Sequence, residues 1–441
     1  MGCGDIVYGV GMFEKYIRDP VHGYIGMTDT EKRVVDSWPV QRLRGIKQLS
    51  VASAVYPGAD HTRFSHSVGT MHVAGMMADA LSKSADIPEE EKQLLRLAAL
   101  LHDIGHGPFS HSSEEVLVKH EKMNHEEIGR WLISRTELSD VLRGCGYEPK
   151  EIVGLWTNTG KKRYLRQAIS SQFDSDRMDF LVRDSYFTGV EYGRIDINRI
   201  IQAMEVVRGS IAVDLKALYA LEALMIARYE MFLAVYYHHA VRAAEILLGR
   251  AMDSVHDIIG LTTFSGPEEY LQLNDALVMS RMRTLNPSEH RDRRDDVKRA
   301  RLMIDMLERR RLLKPAYQRE VHISDPFVAK LLSDDEVRRQ NEMEIAEKAG
   351  VSPERIFVDV PTLASVPLYP KEGDPREIAV FSGSGRSKVL SRLSDHSRLV
   401  KVIGGYVDVI RVYTFPEDRK KVERAASRIF KERPLSDRIS M

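Results

Sequence analysis

One segment constrains this chain more than any other. After Pro88 the run Glu89 to Leu101 starts acidic and carries Leu94, Leu95, Leu97, Ala98 and Leu101, the pattern of a mostly buried helix. It leads straight into Leu101-His102-Asp103-Ile104-Gly105-His106-Gly107-Pro108-Phe109-Ser110-His111, which holds three histidines and a carboxylate. Imidazole nitrogens and carboxylate oxygens are ligands that a transition metal prefers. Adjacent His102 and Asp103 cannot share one helical face, but at a fraying helix end both can bend toward one ion. His106 follows His102 by one turn and reaches the same cavity without having to ligate. Eight of the fifteen histidines lie between His61 and His125. The sequence therefore needs a helical core with a metal site at the end of a buried helix.

The rest of the chain fits a mainly α fold, a helical catalytic core with a smaller C-terminal α+β subdomain. Residues 1–30 are read as an N-terminal strand and turn segment, 31–319 as the core and 320–441 as the subdomain. Within the first part, Tyr16 to Ile25 reads as a short strand and turn unit, and Thr28 or Asp29 can cap the following helix, with Glu31 in its first turn. Gln167 to Thr188 and Lys216 to Asp257 read as long helical stretches, and residues 291–311 as a densely charged helix. That charge run suits a solvated face with paired signs, or a phosphate or subunit contact. From about Pro315 the texture turns to β-type segments, Ile356 to Val360 and Tyr406 to Tyr413. Turn-rich stretches lie at Pro361 to Pro375 and Gly383 to Gly385, and Lys420 to Lys431 reads as a last helix.

Composition excludes several classes. Sixty-four Lys and Arg against 64 Asp and Glu leave zero formal charge, so no global field draws in nucleic acid or a membrane. Cys3 and Cys145, far apart, fit a reducing compartment rather than a disulfide scaffold. Met1 to Gly11 lacks the pattern of a secretory signal, Ile6 stands where a myristoylation site has Ser or Thr, and no apolar run approaches a membrane span. A cytoplasmic protein is expected.

Metal ligands beyond His102 and Asp103 must come from elsewhere. Thr62-Arg63-Phe64-Ser65-His66-Ser67 offers a histidine where a helix begins, and Ser171 to Phe180 offers clustered carboxylates on another helix. With Asp19-Pro20-Val21-His22-Gly23, Gln41 to Leu49 and Arg63 to Gly69 preceding His102 to His111, the chain resembles the HD-domain metal-dependent phosphohydrolases. Within them it is similar to the deoxynucleoside triphosphate triphosphohydrolase branch, which includes the HD core of the vertebrate SAM-and-HD-domain enzyme. The resemblance covers roughly residues 13–260, and no N-terminal SAM domain is expected.

The resemblance implies a metal site of His66, His102, Asp103 and Asp176, for Mg, Mn, Fe, Ni or Zn, and cleavage of deoxynucleoside triphosphates to deoxynucleoside and tripolyphosphate. The matching catalytic group is His106, His111, Glu114 and His125, with Glu114 a departure from the family's Asp. Protonated His111 would donate to the leaving 5′-oxygen, Glu114 would position it, and His106 and His125 would bind phosphate oxygens, with metal-activated water as nucleophile. Substrate contacts fall on Gln48, Leu49, Arg63, Arg177, Phe180, Asp184, Arg228 and Tyr236. Here Phe180 replaces the usual Tyr, and Arg177 replaces a Lys of the vertebrate enzyme. Asp176, Phe180 and Asp184 share one helical face, and Asp184 matches the residue that meets the 3′-hydroxyl. An activating guanine nucleotide, GTP or dGTP, would meet Lys15, Asp36, Gln41 and Arg44, with Arg18 departing from the family's Asn. A homo-oligomer, dimer or tetramer, is implied, with deoxynucleotides rather than nucleic acid as partners.

Two other readings stay open: an HD phosphohydrolase for nucleoside monophosphates or other nucleotides, and a nucleotide-sensing module. His72, His120, His238, His239 and His256 read as core or surface histidines, and His61 is left undecided.

Overall fold

The computed structural model describes residue 13 and residues 15–157, 162–322, 335–360, 378–403 and 407–430. The readings at Met1 to Gly11 and Pro361 to Pro375 lie outside these residues.

The chain opens with an antiparallel hairpin, β1 (Lys15–Asp19) and β2 (Gly23–Met27), in which Asp19 pairs with Gly23 at the turn. Helix α1 (Asp29–Val35) follows, and Thr28 closes its first turn through a reciprocal capping box with Glu31. The helical body is built on α2 (Arg63–Leu81), α3 (Glu89–Leu101), α4 (His111–Glu121), α5 (His125–Arg135) and α6 (Ser175–Thr188). Nearly all of α2 is buried, and α3 buries Leu95 through Leu101. A close approach lets α2 meet α6: a side chain at Gly69 would put its Cβ 2.0 Å from an oxygen of Asp179.

Two expected helices break where side chains compete with the backbone ladder. Of Gln167 to Thr188 only Ser175–Thr188 is continuous helix, α6, and Gln167 is the last residue of a separate short helix, Arg163–Gln167. Asp174 interrupts the stretch by capping α6, its carboxylate accepting from the Arg177 backbone N–H at 2.8 Å. Lys216 to Asp257 divides into α7 (Leu218–Met231), a π-helical turn over Phe232–Tyr236, and α8 (His239–Ser254). The His238 side chain caps α8. The charged run forms α9 (Arg294–Glu308), which buries Val297, Ala300, Met303, Ile304, Met306 and Leu307 while its charges pair among themselves, as Arg293 and Arg299 do with Asp296.

Strands missed in the sequence reading lie inside the helical body: β3 (Met204–Val207) and β4 (Ser210–Asp214). Further on come β5 (Lys314–His322), β6 (Ile356–Asp359), β7 (Ala379–Ser382), β8 (Val389–Arg392) and β9 (Val407–Thr414). One sheet has the order β3-β4-β7-β8, with β4 and β7 parallel, so the C-terminal part completes a sheet begun in the helical body. The other has the order β5-β9-β6, all antiparallel. Its alternation separates two cores. Ile356, Val358, Ile410 and Val412 face a small core shared with α10 (Asp335–Ala349) and α11 (Arg419–Ile429), whereas Phe357 and Tyr413 join the main core. The fold is thus mainly α, with a C-terminal region that contains both sheet and helix. On the side facing the body, Arg411 donates to the Tyr237 carbonyl at 2.7 Å and Arg242 is bonded to Asp359 at 2.7 Å. No described helix is long and apolar enough to cross a membrane.

Candidate active site

Helix α3 ends at Leu101, and His102 and Asp103 sit in the turn that follows, so adjacent side chains do turn toward one point. His66 from the first turns of α2 and Asp176 from the first turn of α6 meet them there. The His66 Nε2 lies 3.1 Å from Asp176 Oδ1 and 3.6 Å from Asp103 Oδ2. The His102 Nε2 lies 3.3 Å from Asp103 Oδ1 and 3.6 Å from Asp176 Oδ1.

The other nitrogen of each ring decides what this cluster can hold. The His102 Nδ1 is 2.7 Å from the Ala99 carbonyl, which only accepts, so Nδ1 carries the proton and the lone pair is on Nε2. That buried Nε2 has no hydrogen-bond partner. The His66 Nδ1 donates to Asp179 at 2.8 Å, which likewise leaves Nε2 facing the carboxylates. Burial alone would lower the His66 pKa, but Asp176, Asp179 and Asp103 raise it to about 10. A positive charge is favoured at this point, and an orphaned imidazole lone pair faces it. Two imidazole nitrogens and two carboxylates are a donor set that fits a divalent metal ion.

Asp179, one of the clustered carboxylates of Ser171 to Phe180 but given no role in the sequence reading, anchors a network behind His66. Its two oxygens accept from His22 Nε2 at 2.7 Å, His66 Nδ1 at 2.8 Å, and Arg183 Nε and Nη2 at 2.8 and 2.9 Å. Arg183 in turn bonds Asp19 at 2.7 Å, whose other oxygen accepts the backbone N–H groups of Val21 and His22. The Asp19 to Gly23 motif therefore closes the hairpin and delivers His22 to the carboxylate that orients His66. Arg183 and Asp179, one turn apart on α6, carried a local signal for this pair.

Beyond Asp103 the chain makes a tight loop to α4, with left-handed backbone at Phe109 and Ser110 (φ 58° and 54°). It is held from several sides. Asp275 accepts the Phe109 N–H at 2.6 Å and the Lys47 N–H at 3.0 Å. Arg42 donates to the His106 carbonyl at 3.0 Å, and Tyr270 to the Gly105 carbonyl at 2.8 Å. Gly105 is required here, since a Cβ would stand 2.0 Å from the His125 carbonyl oxygen.

This loop brings His106, His111, Glu114 and His125 together. Glu114 accepts from His111 Nδ1 at 3.2 Å, His125 Nδ1 at 2.5 Å and the His125 backbone N–H at 3.1 Å. Burial opposes ionisation, yet the bonds from His111 and His125 hold its carboxyl well below the ordinary range. Burial likewise opposes charge on His125, which Glu114 overcomes, so its pKa is raised. His106 stacks on His125 at 4.1 Å and is lowered well below its ordinary value by burial and by the charges of Arg63 and His125. The neutral ring thus lies between the metal cluster, with its Nε2 3.5 Å from Asp103, and the Glu114 pair.

A cleft of about 790 Å³, partly open to solvent, runs past this cluster. Its wall includes Gln48, Leu49, Arg63, Asp103, His106, His111, Asp176, Phe180, Asp184 and Tyr236. Arg63 is buried and bonded to Asp103, with its Nε donating to Ser110 at 2.7 Å. At the far end Asp184 accepts from Tyr236 at 2.7 Å and from His61 Nε2 at 2.8 Å. The π-helical turn at the end of α7 sets Tyr236 against Asp184. His61 had been left undecided, and only its long-range partner, 123 residues away, reveals it.

Other expected site residues are placed elsewhere. Glu114 and His125 stand behind His106 and His111 rather than on the cleft wall. Arg177 is bonded to Asp174, and Arg228 donates to Gln172 at 2.8 Å; neither lines the cleft. Of the expected activator residues, Gln41 accepts from Arg44 at 2.8 Å, and Arg44 lies over the Phe64 ring. Asp36 instead pairs with Lys32, and Lys15 is exposed on β1.

Comparisons with known proteins agree with this geometry. The HD domain family model matches residues 63–181, and the HD associated region matches residues 195–436. An uncharacterized Bacillus subtilis protein, YwfO, is 35% identical over 288 residues, covering 60% of this chain and 65% of that one. A Dictyostelium discoideum protein described as a deoxynucleoside triphosphate triphosphohydrolase SAMHD1 homolog is 29% identical, covering 62% and 56%. The match thus spans less than two thirds of either curated relative. A crystal structure of a hypothetical protein from Aquifex aeolicus superposes with a TM-score of 0.72 at 30% identity, covering 93% of this chain and 99% of the other. With the His102–Asp103 pair at a helix end, His66 and Asp176 meeting it from two neighbouring helices and both family regions matched, the chain belongs to the HD-domain family of metal-dependent phosphohydrolases.

Proposed function

We propose that the chain hydrolyses deoxynucleoside triphosphates to deoxynucleoside and tripolyphosphate. The observation that carries this reading is the composition of one cleft wall: Asp103 and Asp176 of the metal cluster, His111, and the Asp184–Tyr236 pair with Leu49. Asp176 and Asp184 are two helical turns apart, roughly 12 Å. That is about the reach from an α-phosphate to the far edge of a deoxyribose. Leu49 and Tyr236 at the sugar end would leave a ribose 2′-hydroxyl crowded and unpaired.

His66, His102, Asp103 and Asp176 would hold the metal, which when bound polarises a phosphoryl oxygen and acidifies water. Arg63, next to Asp103 on the wall, adds fixed positive charge for phosphate oxygens. His106, kept neutral, can donate one N–H to phosphate without repelling the metal. His111, oriented by Glu114, delivers a proton to the 5′-oxygen as the bond to the α-phosphorus breaks. Arg177 and Arg228 serve as phosphate contacts in this reading once they leave Asp174 and Gln172. A guanine nucleotide activator would use the Gln41–Arg44 pair, whose guanidinium suits guanine O6 and N7, with Asp36 accepting from N1 and N2.

The test is product separation by ion exchange after incubation with each deoxynucleoside triphosphate, ribonucleoside triphosphate and deoxynucleoside monophosphate. Mg or Mn is supplied, with and without dGTP, and a His102→Ala/Asp103→Ala variant serves as blank. Deoxynucleoside and tripolyphosphate from the deoxy substrates, absent in the blank, support the reading. Phosphate released only from monophosphates refutes it.

A further inference from the structure

His61 is buried at the wall of the sugar end but does not itself line the cleft. Its ring stacks on Phe187 at 4.6 Å with planes 17° apart, and Phe187 is three residues beyond Asp184 on α6. The same helix thus supplies both the ring that holds His61 and the carboxylate that His61 holds. His61 Nε2 meets Asp184 Oδ1 at 2.8 Å, and the Tyr236 hydroxyl meets Oδ2 at 2.7 Å. The His61 carbonyl also accepts the backbone N–H of Gln48, another cleft residue, at 3.0 Å. A carboxylate with one fixed donor on each oxygen cannot rotate, and each oxygen keeps a lone pair for a further donor.

We propose that His61 is a positioning residue for substrate selection: it fixes Asp184 so that its remaining lone pairs accept the 3′-hydroxyl of the deoxyribose. The inference rests on the deoxynucleotide reading above. Tyr236 alone leaves one oxygen free, and the carboxylate can then swing away from the cleft. A site built to bond a hydroxyl loses most toward the substrate that carries one. The loss of His61 therefore falls on substrates with a 3′-hydroxyl and spares those without it.

The experiment compares kcat/KM for each deoxynucleoside triphosphate and its 2′,3′-dideoxy counterpart, in wild type and in His61→Phe, which keeps the stack on Phe187 but not the bond. His61→Phe is expected to lower kcat/KM for the deoxy substrate by about tenfold or more, and for the dideoxy substrate by about twofold at most, while His61→Gln restores part of the difference. Thermal melts establish that the variants fold, and His61→Leu carries the same expectation if the Phe variant does not. Equal losses on both substrates mean that His61 only supports the fold, and they overturn the proposal. So does an unchanged ratio, or a wild type that does not distinguish the two substrates. A wild type that turns over neither substrate class overturns the deoxynucleotide reading itself, and this proposal with it.

Discussion

Asp179→Asn tests how far the metal cluster depends on the network behind it. In the wild type Asp179 is fully buried and accepts four bonds, from His22, His66 and two nitrogens of Arg183. The Asn side chain has the same shape but keeps one acceptor oxygen and no charge. Removing one partner of a buried ion pair costs about 3–5 kcal/mol. Arg183 keeps Asp19 at 2.7 Å, so the loss should fall toward the lower end. The second effect is on the metal. A histidine ligand whose outer partner is removed loses about 10–100-fold in metal affinity. That corresponds to about 1.4–2.8 kcal/mol. Urea unfolding of the metal-free protein reads the first quantity, and calorimetric titration with Mn²⁺ on the folded variant reads the second. An Arg183→Met variant, which leaves the Asp179–His66 bond in place, should lower stability but change Mn²⁺ affinity by less than the Asp179 variant. Two results would refute the reasoning: Mn²⁺ affinity within about threefold of wild type in Asp179→Asn, or an equal affinity loss in both variants.

Other expectations follow from the same geometry. Glu114→Gln should lower kcat by about 10²–10⁴-fold through loss of the oriented proton donor, with KM little changed; a fall in KM alone would contradict the assignment. Because Glu114 titrates below its unfolded value of about 4.3, the stability it contributes is complete above about pH 5 and is lost as pH falls. The wild-type advantage over Glu114→Gln in urea should therefore shrink on acidification, and a constant difference from pH 7 to pH 3 would contradict it. Asp275→Asn sets an amide NH₂ against one of the two backbone N–H groups that Asp275 now accepts, for a cost of about 1–3 kcal/mol; hydrogen exchange at Phe109 and Lys47 should rise, and unchanged protection would count against the clamp. Gly105→Ala drives a Cβ into the His125 carbonyl and should cost at least about 1–3 kcal/mol in stability; a melting temperature equal to wild type would show that the loop yields.

What could be read from the sequence was local. Helix α3 occupies Glu89–Leu101, the residues its acidic start and apolar run mark out, and the HD pair follows directly. The helices that broke did so at side chains that cap, Asp174 and His238, which composition alone does not separate from helix interior. The β3–β4 hairpin was readable and was passed over: Arg208 and Gly209, both at positive φ, form the two-residue turn between β-type runs. The proposed ligand set came through a motif resemblance, and the structure gathers those four side chains at one point. Its support did not come through, because His22 is 157 residues from Asp179 and His61 is 123 from Asp184. No periodicity connects such pairs; only the packing of the hairpin and α2 against α6 does. Of the three arginines expected from the resemblance to contact phosphate, Arg63 lines the cleft, whereas Arg177 and Arg228 are bonded to Asp174 and Gln172 away from it.

The central claim is that water attacks the α-phosphorus while His111 protonates the 5′-oxygen. Hydrolysis of a deoxynucleoside triphosphate in ¹⁸O-labelled water, followed by mass spectrometry of both products, tests it most directly. The account predicts one ¹⁸O in tripolyphosphate and none in the deoxynucleoside. Label in the deoxynucleoside 5′-hydroxyl, or pyrophosphate and a monophosphate as products, would contradict it.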